Sequence, residues 1–223
     1  MQNIFFDTRI LDKKSREKFS LTEEIMMENA AQGLESCVMP HVFHESARYI
    51  NRPCVLILAG RGNNGADGYA LARRLSCHDF CVAVCCIGEP SSEIAKVQKK
   101  RAELLGVSFI SPYDLDSFAE EKSFDISVVV DCIYGSGFHL PLDAESEAVI
   151  QSANKIEAFK ISCDIPSGLD SAGNGKTVFC ADETVAMGAL KLSLFSDKAK
   201  DFCGKIKVCN LGISRNNFEF LDS

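Results

Sequence analysis

The amino-acid sequence predicts a three-layer α/β fold, with a doubly wound, mainly parallel sheet and helices on both of its faces. From about residue 53, short apolar runs rich in Val, Leu and Ile alternate with helical segments, which is the pattern of βαβ units. The first run leads through a glycine-rich segment into a helix, as nucleotide-binding βαβ units do. Three of the runs end in polar clusters, and carboxyl ends of parallel strands share one edge of a sheet.

The segment at about residues 7–39 is predicted to be helical. A first helix begins at a cap on Asp7 or Thr8 and ends near Phe19. The run from Ser20 to Glu23 fits a capping box for a second helix. Pro40 limits that helix, because the residue before a proline is biased away from helical geometry.

The remaining elements follow from the alternation of apolar and polar runs. Strands are predicted at 54–59, 80–87, 107–110, 126–132 and 160–163, and helices at 69–75, 92–105, 115–122 and 144–154. Shorter β-like runs at 177–179, 184–187 and 205–210, with a helical turn at 197–202, complete the sheet, with an antiparallel edge as one possibility.

Length and charge restrict the classes of protein to consider. The 223 residues fit one domain, 1–223. The formal net charge of −7 argues against a nucleic-acid or anionic-membrane partner. There is neither an apolar run long enough to span a bilayer nor a signal-peptide core. The sequence therefore predicts a cytoplasmic protein with no nucleic-acid or membrane partner.

Eleven cysteines raise the question of metal or redox chemistry. Cys77, Cys81 and Cys85 are spaced by four, but no C-x-x-C motif occurs. Most of the cysteines lie inside apolar runs, where free cysteine acts as a small hydrophobic residue. We therefore favour buried thiols over a metal site or a disulfide framework, and a thiol-based redox or metal sensor is kept as a rival.

The three polar clusters are the candidate site. They are Asn63 to Asp67 after the first strand, Asp131 with Gly135 to Pro141 after the fourth, and Asp164 to Asp170 after the fifth. The first cluster is neither a G-x-G-x-x-G fingerprint nor a Walker A loop. Its glycine-rich backbone at a helix N-terminus can bind phosphate, and the alternative is a capped turn.

Carboxylates at the ends of buried strands need a partner. Asn64, Asp131 and Ser167 offer an amide oxygen, a carboxylate and a hydroxyl, which suit an alkali or alkaline-earth cation. The alternative, equally supported by the residues alone, is that Asp131 and Ser167 cap local turns. The four histidines, His41, His44, His78 and His139, form no recognisable triad or zinc motif.

Five segments in the same order resemble the YjeF N-terminal domain, the NAD(P)HX epimerase family. They are residues 27–31, 63–68, 131–137, 164–170 and 188–191. The resemblance extends from about residue 10 to 213, and the Asn-Asn-Gly-x-Asp-Gly and Asp-Ile-Pro-Ser-Gly-Leu-Asp motifs are specific in combination. It implies a Rossmann-like fold, a homodimer, and interconversion of the R and S forms of NADHX and NADPHX in nicotinamide nucleotide repair.

The resemblance also implies roles for individual residues. One potassium ion per subunit is expected at Asn64, Asp131 and Ser167. Substrate contacts are expected at Asn63, Asn64, Gly65, Ala66, Asp67, Gly135, Ser136, Gly137, Phe138, His139, Leu140, Pro141 and Asp164. Because the hydrated carbon carries a hydroxyl next to the ring nitrogen, one carboxyl group that gives and takes a proton can serve both halves of the reaction. Asp164 is our candidate, and Lys191 is a weaker one.

Two departures and one rival accompany the resemblance. Ala66 stands where the family commonly has glycine, and its methyl group is expected to narrow the approach to the ligand. Many relatives carry a C-terminal dehydratase domain, which this chain lacks, so a fused or separate dehydratase is an expected partner. The rival is a non-catalytic protein- or RNA-binding scaffold on the same fold.

Overall fold

A computed structural model describes residues 3–42, 51–214 and 216–217. His44 lies outside the described residues. The strands are β1 Ile4–Phe5, β2 Arg52–Ala59, β3 Cys81–Cys86, β4 Ser108–Ile110, β5 Phe124–Cys132, β6 Phe159–Cys163, β7 Glu183–Met187, β8 Leu190–Lys191 and β9 Lys205–Cys209. The helices are α1 Arg9–Phe19, α2 Glu23–Val42, α3 Asn63–Leu75, α4 Glu93–Leu104, α5 Leu115–Ala119, α6 Ala144–Lys155 and α7 Lys200–Cys203.

Seven strands form one sheet in the order β4-β3-β2-β5-β6-β7-β9. Every neighbouring pair is parallel, β7 and β9 included, so the antiparallel edge considered from the sequence is wrong. The strand order reverses between β2 and β5, and such a switch point leaves a crevice at the carboxyl edge of a doubly wound sheet. The predicted α/β fold class is confirmed.

Helices cover both faces of this sheet and create two apolar layers. On one face, α2 and α3 pack on the side chains of Val55, Ile57 and Val130. On the other face, α6 packs on Leu56 and Val129. Because alternate side chains of each strand point to opposite faces, a strand buried on both sides reads as a continuous apolar run. This explains why the central strands were predictable.

Three local predictions are wrong. Residues 177–179 form no strand, although Val178 and Phe179 are buried in loop structure against neighbouring elements. Helix α2 continues two residues past Pro40, since a proline in the last turn removes a single helical hydrogen bond. Ser20 ends α1 with a positive φ of 54° rather than opening a capping box, and Thr22 caps α2 through a bond from Ile25 N to its Oγ1.

Helix α3 begins at Asn63, six residues before the predicted start. The glycine-rich run was taken for a loop, because glycine disfavours helices. Close packing overrides this preference at Gly65, where a Cβ atom would lie 1.9 Å from the carbonyl oxygen of Gly60. The glycines therefore allow the first turns of α3 to pack directly on the end of β2.

Two further features bear on the predictions. Seven of the eleven cysteines are buried, which fits their interpretation as hydrophobic residues. Cys54 and Cys81 lie side by side on β2 and β3, and a hydrogen bond from Cys54 lowers the pKa of Cys81. No helix among the described residues is long and apolar enough to cross a membrane.

Candidate active site

A cavity of about 820 Å³ opens at the switch point of the sheet, which is the size of typical small-molecule and cofactor sites. The segments that follow β2, β5 and β6 all contribute to its wall. Helices α1 and α2 supply the opposite wall. The convergence of the three polar clusters, predicted from the sequence, is therefore present in the fold.

Most of the predicted substrate-binding residues line this cavity. They are Asn63, Asn64, Asp67, Gly135, Ser136, Gly137, Phe138, His139, Pro141 and Asp164. Gly65, Ala66 and Leu140 lie away from it. The methyl group of Ala66 is fully buried in the apolar core, so it does not narrow the approach to the ligand as expected. Whether these three residues contact a substrate stays a prediction.

The wall formed by α3 presents backbone and amide groups. Gly62 is the N-cap of α3 and provides no side-chain cap, so N–H groups of the first turn are available to an anion, as at other helix N-termini. The Asn63 side chain bridges two elements, donating from Nδ2 to Glu23 and accepting from the Ser92 hydroxyl. The Nδ2 atom of Asn64 is buried and has no hydrogen-bond partner among the described residues.

Asp131 and Ser167 lie beneath the cavity rather than in its wall, at 0% and 1% exposure. Ser167 donates to Asp131 from its backbone N at 2.8 Å and from its hydroxyl at 2.6 Å. Ile133 N and the Ser162 hydroxyl donate as well. Burial nevertheless raises the pKa of Asp131 to about 6, because desolvation of a carboxylate outweighs these bonds.

Asp164 occupies the buried floor of the cavity with a left-handed backbone, φ 71°. Its Oδ1 atom accepts a hydrogen bond from Met187 N at 3.1 Å, and its Oδ2 atom accepts one from Ser136 N at 2.9 Å. Lys191 forms an ion pair with Oδ1. The carboxylate is thus fixed by donors from three different segments of the chain.

Lys191 is 1% exposed and also donates to the Met187 carbonyl oxygen. The pairing of β1 with β8 places it here, since Phe5 and Lys191 are register partners. Removing one partner of a buried ion pair leaves an uncompensated charge, so Lys191 and Asp164 stabilise each other's charged forms. The structure therefore joins the weaker sequence candidate to the stronger one.

Sequence reasoning missed the residues that α1 brings to the cavity. Asp12 faces the interior, while Arg9 and Arg16 are exposed at the entrance, together with Arg61 after β2. Burial raises the pKa of Asp12 to about 6. The cap at Asp7 or Thr8 predicted a helix here, but no sequence signal indicated which surface it would cover.

Fold and cavity together define a Rossmann-like domain with a small-molecule site at the switch point of its sheet. The chain belongs to the family described as YjeF-related protein N-terminus, whose model matches residues 23–193. The crystal structure of the yeast protein ynu0 shares the fold, with a TM-score of 0.73 and 18% identity over 92% of this chain and 87% of that one.

Two similar proteins have names that state an activity. The bifunctional NAD(P)H-hydrate repair enzyme Nnr of Helicobacter pylori is 38% identical over 98% of this chain, which spans 44% of that relative. The NAD(P)H-hydrate epimerase of Rhodopirellula baltica is 32% identical over 92% of this chain and 82% of its own length.

Proposed function

We propose that this protein is an NAD(P)H-hydrate epimerase that interconverts the R and S forms of NADHX and NADPHX. The observation that carries the proposal is the placement of Asp164, a buried carboxylate fixed by three segments at the floor of a cofactor-sized cavity. The names of the relatives indicate the same activity. A non-catalytic scaffold does not need a buried carboxylate at the floor of its cavity, and this disfavours the binding-module alternative.

The cavity suits both ends of this substrate. The exposed arginines at the entrance and the free N–H groups of α3 can bind the diphosphate of a dinucleotide. The hydrated nicotinamide ring then lies toward the floor. There the hydroxyl next to the ring nitrogen is protonated and leaves as water, driven by the nitrogen lone pair. Water then adds again from the other face of the ring. Asp164 is the proposed group for proton transfer at that carbon.

A potassium ion is proposed at Asn64, Asp131 and Ser167. Their amide, carboxylate and hydroxyl oxygens suit a hard cation. A positive charge would also favour the ionised form of the fully buried Asp131. When bound, potassium would supply positive charge and order the segments that carry these residues.

The remaining parts of the proposal concern the protein's context. We propose a cytoplasmic homodimer. Each subunit is one epimerase domain, 1–223, with an N-terminal helical segment. The product passes to an NAD(P)HX dehydratase, fused or separate. The name of the bifunctional Helicobacter relative supports the coupling of two repair activities.

A coupled assay tests the activity. The purified protein receives R-NADHX and a separate S-specific dehydratase, and recovered NADH is followed by its absorbance. We expect a rate well above spontaneous epimerisation, which Asp164→Asn abolishes and the exposed α7 variant Asp201→Asn retains. A folded protein with the rate of the blank would instead favour the scaffold.

The potassium site has a readout of its own. Thermal unfolding in potassium chloride should occur at a higher temperature than in tetramethylammonium chloride, because a bound ion stabilises the folded state. Asn64→Ala should remove this difference while leaving the protein folded. Equal unfolding temperatures in the two salts would contradict the ion site and leave the epimerase proposal standing.

A further inference from the structure

The cavity contains more carboxyl groups than the one-carboxyl mechanism uses. Besides Asp164, the side chains of Asp12, Glu23, Asp67 and Asp143 line it. Among the described residues, one lysine is buried, and the ammonium group of this Lys191 lies next to them. Pairs of titratable groups whose surroundings differ in this way often divide acid and base roles between them. The surroundings of Asp67 and Asp164 differ most.

Asp164 is surrounded by donors. Two backbone N–H groups, from Ser136 and Met187, and the Lys191 ammonium group all point at its carboxylate. Hydrogen bonds and an adjacent positive charge favour the charged form of a carboxyl group. All three neighbours are donors, so Asp164 meets them as a hydrogen-bond acceptor, which is the geometry of a group placed to take a proton from water.

Asp67 is in the opposite situation. It is half-buried in the cavity wall formed by α3, and no hydrogen bond or ion pair to its carboxyl group occurs within the described parts of the chain. Burial and the neighbouring Asp164 carboxylate raise the pKa of Asp67 well above its usual range. Lys191 acts in the other direction, but it is already paired with Asp164.

The charged and titratable groups around Asp67 come from every packed element. Four belong to α1, α2, β8 and the end of β6, namely Asp12, Glu23, Lys191 and Asp164. Three are thiols on β5, β6 and β9, namely Cys132, Cys163 and Cys209. With three carboxyl groups facing it and one ammonium already engaged, the protonated form of Asp67 is the one that this environment favours.

The other three carboxyl groups fit the role less well. Asp143 caps α6 and accepts hydrogen bonds from Ser146 N and the Tyr134 hydroxyl, so it has structural partners. Glu23 accepts a hydrogen bond from the Asn63 amide and so has a structural partner. Asp12 feels the positive charges of both Lys191 and Arg16, which oppose the effect of burial. Asp67 also belongs to the same α3 turns as Asn63 and Asn64. Helix α3 follows β2 and Asp164 follows β6, so the two aspartates come from opposite sides of the switch point between β2 and β5.

We propose that Asp67 is a second catalytic residue, which donates the proton to the departing hydroxyl while Asp164 takes a proton from the water that adds on the opposite face. This inference rests on the proposed function. In one direction the carbon–oxygen bond breaks, water leaves with the proton of Asp67, and the ring nitrogen lone pair forms the iminium. Water then attacks, the iminium electrons return to nitrogen, and Asp164 becomes protonated. The reverse direction uses the same groups with their roles exchanged.

Oxygen exchange from labelled water separates this arrangement from a single carboxyl group. Each epimer alone is incubated in H₂¹⁸O with wild type, Asp67→Asn or Asp164→Asn, and label and configuration are both measured. We expect each variant to lose epimerisation by about 10²- to 10⁴-fold, the usual contribution of general acid–base catalysis. Asp164→Asn should retain exchange into one epimer only, because Asp67 can still return water to the face it serves.

The matched control is Asp201→Asn, which changes an exposed carboxyl group on α7 outside the cavity and should retain epimerisation. Asp12→Asn is assayed beside it, because Asp12 is another cavity carboxyl group whose pKa is raised by burial. The wild-type pH profile gives a measurement that needs no variant: kcat/KM should fall as pH rises and Asp67 loses its proton, and this limb should be absent from the residual rate of Asp67→Asn.

Three outcomes would overturn the proposal. They are epimerisation by Asp67→Asn at the wild-type rate, complete loss of exchange into both epimers in Asp164→Asn, and dependence on Asp12 in place of Asp67. Failure of the proposed function would look different, because wild type itself would then neither epimerise nor exchange above the blank.

Discussion

The floor and the entrance of the cavity both carry charged groups, but those at the floor are buried and those at the entrance are exposed to solvent. At the floor, Asp164 and Lys191 are 6% and 1% exposed and paired with each other. At the entrance, the side chains of Arg9 and Arg61 are 57% and 58% exposed and pair with acidic neighbours. Charges in water are screened, whereas buried charges interact strongly with their partners.

This difference in burial indicates that the floor and the entrance have different roles. Buried groups can hold a proton or stabilise a developing charge, because little solvent competes with them. Exposed arginines contribute little energy each, but they attract and orient an anionic ligand before it enters. Changes at the floor should therefore affect turnover and folding, and changes at the entrance should affect binding. Four predictions test this comparison.

The largest effect is expected at Lys191. Lys191→Met keeps the volume but leaves Asp164 buried without its cation, and breaking a buried pair in this way costs about 3–5 kcal/mol. Urea unfolding at neutral pH measures this loss. The exposed Lys198→Met should stay within about 0.5 kcal/mol of wild type. Equal stability of wild type and Lys191→Met would mean that the Lys191 ammonium group does not stabilise the buried Asp164 carboxylate.

The next effect tests how tightly the floor is arranged. A Cβ atom on Gly135 would lie 3.0 Å from Asp164 Oδ2 and 3.3 Å from Asn64 Oδ1, whereas one on Gly137 would meet Arg9 Nη1 at 3.6 Å. Gly135→Ala should therefore lower kcat by about 10- to 100-fold, as misplacement of a reacting group does. Gly137→Ala, the matched control, should retain most of the activity. Similar kcat values would show that Asp164 tolerates displacement.

A smaller effect is expected from Asp12. Burial raises its folded-state pKa to about 6, well above that of an aspartate in the unfolded chain, so the unfolded chain releases this proton first as pH rises. The free energy of unfolding therefore falls between about pH 4 and pH 6, and Asp12→Asn removes that part of the slope. Relative to wild type, the variant should gain about 1–2 kcal/mol between those limits. Parallel curves in denaturant titrations would contradict a buried Asp12.

The smallest effect is expected at the entrance. Arg61→Ala removes an exposed guanidinium 58% accessible to solvent, which should raise KM by about 5- to 10-fold, or roughly 1 kcal/mol, and leave kcat unchanged. The increase should shrink at high salt. Lys100→Ala, on α4 and paired with Glu103, is the control and should alter neither constant. A fall in kcat with unchanged KM would instead indicate that Arg61 affects turnover, as groups at the floor do.

The fold was predictable from sequence where burial determines the pattern. The strands predicted at 54–59 and 126–132 are present as Arg52–Ala59 and Phe124–Cys132, because both faces of each strand are covered and the apolar run is continuous. The meeting of Asn64 with Asp164 around Gly135 followed from the rule that parallel strands end at one edge. Such arguments need only local composition and the hand of the crossover connections.

The contacts that sequence reasoning could not supply depend on long-range packing. Lys191 reaches Asp164 because β1 pairs with β8, a contact between Ile4 and Leu190 that no local pattern encodes. Asp12 enters the cavity because α1 covers it. The start of α3 was missed for a related reason, since the contact between Gly65 and Gly60 overrides the low helix propensity of glycine. In each case, a distant neighbour decides the outcome.

The left-handed backbone at Asp164 has a consequence for how this position can change over evolutionary time. At φ 71°, Asp, Asn and Gly are tolerated far better than longer or branched residues. Glutamate would keep the charge but would add backbone strain and carry its carboxyl group away from Ser136 and Met187. A lineage that loses this aspartate by a single step is thus directed toward asparagine or glycine, both of which fit the backbone and lack a titratable group. Such descendants would keep the cavity and become binding proteins.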